Sequence, residues 1–454
     1  MTERYNYMTS FYHFLGTDDP VQEKRIHEFV ETDLCTRCLV EYALMKCKRH
    51  GNKKIDLNID KIEEMFALMS ELINIGYLSD YYQSDTFQAV IEVLPNGRFA
   101  YPMNDENGLS KYAKLITLDR LEHPDVYETL NGLSMDLDIS EYKALYENTF
   151  LSEFGVEFEQ FSSITTAIIQ HLQDNKKGDW IEEIRSFKSW VADEAKVEKS
   201  AVTAYIFAFS IRSDFADLTL FPMFKEHDTY PCRYKRKLGL IYRPLCVFQS
   251  GDKTKVSFSY RGFVQSQYNL LDNIRTSNYS SVSKVLGQCV GELNRKRGHS
   301  FETGVFEFFK KQPGLICHRS ATISPKDNLC NKEKALGDID LMIIDNASKR
   351  ILLVEIKNYN ECKTPWEAVI NEKKMQGDMK KVVKRDVWAK ANKDKFEFYA
   401  KSPTADYRIA SIMLTSNMCA SKILSDDYKT DIPVVWVRDV IEQPMTVFNY
   451  GEYA

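Results

Sequence analysis

No uninterrupted apolar run in the chain approaches the ~18 residues of a membrane-spanning helix. The longest candidates are stretches such as AYIFAFSI, residues 204–211. The opening MTERYNYMTS has no apolar signal-peptide core, so a cytoplasmic protein without a membrane partner is expected. Also absent are a Gly-x-x-x-x-Gly-Lys-Ser/Thr loop, a Gly-x-Gly-x-x-Gly run after a strand, and a Gly-x-Ser-x-Gly elbow. Nucleotide-driven motors, dinucleotide enzymes and serine hydrolases therefore lose their usual signatures. Internal repeats and low-complexity tracts are missing too.

Strong net charge is likewise lacking: a balance of −5 makes no general case for nucleic acid. Basic residues gather instead in islands, CRYKRK at 232–237, NRKRGH at 294–299 and the stretch from Lys373 to Lys395. The ten cysteines form no even framework, which suits reduced thiols. One group, Cys35, Cys38, Cys47 and His50, has the Cys-x-x-Cys opening of a zinc site. Against zinc, Leu34, Cys38, Tyr42 and Met45 recur at helical spacing, and the buried-helix reading is preferred.

At 454 residues the chain exceeds one ordinary core, and 44% hydrophobic with 28% charged residues is a globular composition. Three parts are expected: 1–160, mixed helix and hairpin; 161–280, helical plus hairpin; and 281–454. In the first, Ile59, Ile62, Phe66, Met69 and Ile73 make a helical stripe that stops before Gly76, and TFQAVIEVLPNGRFAYP reads as two strands. In the second, Trp180, Ile184, Phe187 and Val191 form another helical stripe, and residues 238–264 read as strands around Ser-Gly-Asp. RTSNYSSVSK, residues 275–284, is the most linker-like stretch.

The third part carries the chemistry. In GDIDLMIIDNASKRILLVEIKN, residues 337–358, the polar break Asn346-Ala347-Ser348-Lys349 reads as a hairpin turn. Strand alternation puts Asp338 and Asp340 on one face, with Ile339, Leu341, Val354 and Ile356 opposite. If Asn346 faces Lys349, Asp340 faces Glu355 and Asp338 faces Lys357, with Cβ atoms roughly 4.5–5.5 Å apart. Facing carboxylates destabilise a sheet unless compensated, and a hard divalent cation compensates them. Upstream, Phe301, Val305, Phe306 and Phe309 mark a buried helix side with Glu302 near the helix start. Downstream, Met375, Met379, Val382 and Val383 form the apolar side of a second helix, with Lys373, Gln376, Lys380 and Lys384 along another stripe. YRIASIMLTSN and IPVVWVRDVIE follow as strand-like runs.

This order of helix, strand, hairpin, helix, strand and strand resembles the PD-(D/E)xK, or restriction-endonuclease-like, phosphodiesterases over residues 281–454. Glu302 in SFETGVFEFF resembles the helix acid, with Glu307 as its rival. Asp340 in GDID resembles the first metal ligand, Glu355 and Lys357 in VEIK the Glu-x-Lys, and Gln376 the later helix glutamine. The expected fold is thus a multidomain α+β / α/β protein, a largely helical N-terminal region with hairpins followed by a restriction-endonuclease-like mixed sheet flanked by helices.

The resemblance implies a nuclease using Mg²⁺ or Mn²⁺ held by Asp340, Glu355 and the Ile356 carbonyl, with Lys357 positioning water. Lys373, Lys380 and Lys384 would contact the phosphate backbone of nucleic acid, double-stranded DNA being the expected partner. A setting in bacterial restriction or phage defence follows by analogy of architecture. A nuclease-fold binding module without cleavage is the alternative. DNA against RNA, endo- against exonuclease action and homo-oligomerisation stay open.

Overall fold

The computed structural model describes residues 34–44, 59–82, 92–93, 95, 99–100, 122–133, 139–212, 239–359, 365–418 and 430–451. Two compact units of mixed α and β structure result, one from Met1–Ser79 with Asp138–Glu292, the other from Asp80–Leu137 with Leu293–Ala454. Among the described residues no helix is long and apolar enough to cross a membrane.

In the first unit a four-stranded mixed sheet runs in the order Asp179–Glu183, Lys253–Ser259, Leu245–Ser250, Ser210–Arg212. The helix Phe158–Asp174 buries Phe161, Ile164, Ala167, Ile168 and Leu172, one face at helical spacing. Phe161 meets Phe150 and Phe209 at centroid distances of 4.9 and 5.2 Å. Trp180 lies in the strand Asp179–Glu183, and the helix carrying Phe187 and Val191 begins only at Ile184. The expected helical stripe from Trp180 is therefore divided. Cys35 and Cys38 are buried against Met69 and Ile73, as a helical core position requires. Cys47, His50 and CRYKRK lie outside the described residues. The linker-like stretch is tied down: Glu153 accepts hydrogen bonds from the Tyr279 hydroxyl at 3.1 Å and the Ser283 N–H at 2.7 Å.

The second unit is built on a six-stranded sheet. Its elements are α1 (Pro124–Leu133), α2 (Lys284–Lys310), β1 (Leu315–Ser324), β2 (Leu329–Cys330), β3 (Gly337–Asp345), β4 (Arg350–Lys357), α3 (Pro365–Ala391), β5 (Arg408–Thr415) and β6 (Val434–Trp436). The boundary between units falls inside α2, at Glu292 and Leu293. The strand order is β6-β5-β4-β3-β1-β2. The pair β3–β4 is the expected hairpin; β3 is antiparallel to β1 and β4, whereas β5 runs parallel to β4 and β6. The apolar run IPVVWVRDVIE is not one strand: β6 ends at Trp436 and a short helix, Arg438–Ile441, follows.

Both faces of the sheet are covered, so β4 and β5 read as near-continuous apolar runs. Leu352, Val354 and Ile356 pack with Phe301, Val305 and Phe309 of α2 and Val126, Leu130 and Leu133 of α1. On the other face Ile351 and Leu353 pack with Ala389 of α3 and with Phe396 and Ala400, while Met375, Met379 and Val382 of α3 cover Met413 and Val434. Fully burying such a side chain contributes roughly 1.5–3 kcal/mol, so a charge within β4 needs partners to be tolerated there. Gly304 lets α1 approach α2: a Cβ at that position would lie 2.2 Å from the Leu133 carbonyl oxygen.

Candidate functional site

The hairpin turn is fixed by Asp345, whose Oδ1 accepts the Ala347 and Ser348 N–H groups at 3.1 and 3.3 Å. The pairing that results, from Arg350 with Asp345 to Val354 with Leu341, is the register that points Asp340 at Glu355. Backbone pairing stops there, one step short of the two acids. Past that point the Ile356 N–H donates to Asp340 Oδ2 at 2.7 Å, a side chain standing in for the next strand carbonyl. On the opposite flank Ser320 takes a φ of 53° and leaves the β1 ladder, which resumes at Ala321 with Ile339. The β3–β4 ladder therefore ends beside Asp340, and the β1–β3 ladder is interrupted at the one residue that faces it.

Alternation slips at the same level. Ile339 packs in the cluster of Met342 and Ile344, while Leu341 packs in the other. The expected sharing of one face by Ile339 and Leu341, and by Asp338 and Asp340, is therefore overturned by a local bend. Asp338 is exposed and pairs with Thr322 across the β1 ladder.

Glu355 is buried, and both of its oxygens are engaged. Oε1 accepts from Lys357 Nζ at 2.7 Å, and Oε2 accepts from the Arg385 guanidinium of α3. Burial, then the neighbouring Glu355 carboxylate, pushes the Asp340 carboxyl up to about 7. The Ile356 N–H and the Lys357 ammonium oppose that rise, and Glu302 adds to it. For Lys357, burial favours the neutral amine, but Glu355, Asp340 and Asp378 outweigh it and hold the ammonium above its ordinary range. Asp340, Glu355, Lys357 and Glu302 thus belong to one electrostatic cluster.

Glu302 lies well inside α2, not near its start, and its Oε2 is 3.9 Å from Arg319 Nη2 and 4.0 Å from His299 Nδ1. Glu307 pairs with Lys310 at 3.6 Å. Gln376 is exposed and donates to Glu372 of its own helix at 3.2 Å, its hydrogen-bond partner among the described residues. Lys373, Lys380 and Lys384 are exposed along α3. The α3 residues that do reach the cluster are Asp378 and Arg385, related by two helical turns. Sequence reading passed over both. The available signal was an arginine set inside the apolar row Met375, Met379, Val382 and Ala389, where a solvated charge has no place.

Among the described residues no group of three or more His, Cys, Asp or Glu side chains is arranged around one point. Magnesium, however, is usually held by only one or two carboxylates together with water and phosphate. The donor set fits that pattern. Asp340 Oδ1 has no hydrogen-bond partner among the described residues, and its Oδ2 has only Ile356. Because the N–H and C=O of one strand residue point to the same side, the Ile356 carbonyl also faces the Asp340 side. The next carbonyl, of Lys357, faces β5 and accepts the Ser416 N–H at 3.0 Å.

No family model, curated protein or solved structure matches the chain.

Proposed function

We propose that the second unit is a restriction-endonuclease-like domain and that the chain is a metal-dependent nuclease, with DNA as its substrate and endonucleolytic cleavage as its reaction. The observation that carries this reading is the end of the β3–β4 ladder at Asp340, with Glu355 beside it and Lys357 one strand period further along. Two carboxylates and an ammonium at a gap between strands serve phosphodiester hydrolysis better than they serve sheet stability.

Asp340 Oδ1, Glu355 Oε1 and the Ile356 carbonyl would hold Mg²⁺ or Mn²⁺, which would polarise the scissile phosphate and supply an acidified water. Lys357, one-quarter exposed, sits where its ammonium can leave Glu355 Oε1 for the attacking water or a phosphate oxygen. Glu302, with Arg319 and His299 beside it, orients the outer edge of the site. Lys373, Lys380 and Lys384 offer charge to the phosphate backbone, which gives affinity without sequence information. A setting in restriction or phage defence is part of this proposal.

A second reading, a nuclease-derived fold that binds nucleic acid without cutting it, is favoured by one feature. Glu355 is already neutralised by Lys357 and Arg385. The full chain incubated with closed circular DNA and Mg²⁺, with chelator as control and RNA in parallel, separates the two. Metal-dependent linearisation that Asp340→Asn abolishes is expected. Binding without any cleavage of DNA or RNA would establish the second reading.

A further inference from the structure

A carboxylate that ligates a metal is ordinarily fixed by hydrogen bonds from residues outside the metal's own shell, and those partners are as constraining as the ligands. Glu355 has two cationic partners that differ in kind. Lys357 reaches Oε1 from the same strand, two residues along, by a flexible stem that is one-quarter exposed. Arg385 reaches Oε2 from α3, and its side chain is 7% exposed. Arg385 lies on α3 between Val382 and Ala389, both of which are buried against the sheet. A guanidinium enclosed in this way, with its charge met by one carboxylate, has little freedom to leave. Lys357 does have it.

We infer that Arg385 is a positioning residue, resting on the nuclease reading above: from α3 it pins Glu355 by Oε2 and so presents Oε1 to the cation, while Lys357 is the partner that gives way. The helix residue that serves the site is then Arg385, and the exposed Gln376 does not. Arg385 touches neither substrate nor cation. Its effect is on which Glu355 rotamer the cation meets.

The sign of its effect separates this role from simple electrostatics. Removing a positive charge beside a cation site should tighten cation binding if charge alone counts. Removing the clamp on a ligand should weaken it, by roughly 10–100-fold for a partner of this kind. The test is Mn²⁺ titration of the full chain without nucleic acid, followed by electron paramagnetic resonance of the free ion. Wild type is compared with Arg385→Gln, Arg385→Lys and Asp340→Asn, each checked for its fold by circular dichroism. Arg385→Gln is expected to raise the Mn²⁺ dissociation constant about 10–100-fold, and Arg385→Lys to recover part of that loss by retaining a charged donor.

Unchanged or tighter binding by folded Arg385→Gln overturns the inference and leaves the nuclease reading standing. Absence of Asp340-dependent Mn²⁺ binding in wild type overturns both. Should Arg385→Gln fail to fold, wild-type protein labelled with ¹⁵N-arginine carries the decision. A slowly exchanging Arg385 guanidinium signal that persists on adding Mg²⁺ supports the clamp, and its disappearance shows that arginine and cation compete.

Discussion

The carboxylate of Asp340 accepts the backbone N–H of Ile356 at 2.7 Å, across the gap left where the β3–β4 ladder ends. Ile356 lies between Glu355 and Lys357, so one hydrogen bond fixes Asp340 against both. Burial, and then the Glu355 carboxylate, nevertheless make Asp340 costly to ionise.

The first prediction follows from that cost. A carboxyl raised from 3.8 to about 7 in the folded chain binds its proton more tightly there than in the unfolded chain. Its contribution to stability is therefore fully present at low pH and is lost as pH rises toward about 7. Asp340→Asn should flatten this part of the melting-temperature profile and raise the melting point at pH 8 in chelator. A variant that melts lower than wild type at pH 8 would contradict the burial and repulsion ascribed to Asp340.

The two acids should respond with opposite signs. Glu355→Ala leaves the buried Arg385 without its partner, a loss of roughly 3–5 kcal/mol when one member of a buried pair is removed. Thermal melts of Glu355→Ala and Asp340→Asn, measured together, should move in opposite directions. A Glu355→Ala melting point at or above that of wild type would mean that Arg385 does not depend on Glu355.

Lys357 should separate binding from chemistry. If its ammonium acts mainly on charge developing in the transition state, Lys357→Ala leaves nucleic-acid affinity almost unchanged and lowers the cleavage rate by orders of magnitude. Lys357→Arg keeps the charge but replaces a compact ammonium with a planar fork. Single-turnover cleavage at the wild-type rate by Lys357→Arg would remove the geometric role given to this lysine.

Neutralising Lys373, Lys380 and Lys384 should weaken nucleic-acid binding and flatten its salt dependence, by roughly one counterion for each phosphate that is no longer neutralised. The logarithmic salt slope, measured by fluorescence anisotropy, checks this. An unchanged slope would move the footprint elsewhere, NRKRGH on α2 being another basic island of the same unit.

Gly304→Ala tests the seam between α1 and α2. The added methyl meets the Leu133 backbone at 2.2 Å and cannot be relieved by turning a side chain. Overpacking of this kind typically costs about 1–3 kcal/mol, read as a lower melting temperature. A neutral Gly304→Ala would mean that α1 does not pack closely at this point.

How far the sequence could be read depended on which signals are local. The turn register was legible because Asn346-Ala347-Ser348-Lys349 is the one polar break between two apolar runs, and the Asp345 side chain closes it from within. Arg385 was not legible in its role, since its place in an apolar row signals a buried charge without naming the group that meets it. That group is a carboxylate thirty positions earlier. The slip at Ser320 and Asp340 is hidden for another reason: a positive φ on serine has no composition signature, and the polar–apolar alternation of DIDL runs through it unbroken. Trp180 misled because a short strand directly before a helix prolongs its apolar row by chance.

The second unit also sets an order of events during synthesis. Val126, Leu130 and Leu133 of α1 leave the ribosome well before Phe301, Val305 and the strands they pack against. With translation at roughly 5–20 residues per second, this apolar face waits on the order of ten seconds or more for its partners. Throughout that interval the intervening segment 138–292, which belongs to the other unit, is free to complete its own core. The nascent chain thus carries an uncovered α1 until residues 293–454 are made, and an early stop would leave a surface suited to chaperone capture rather than a smaller folded unit.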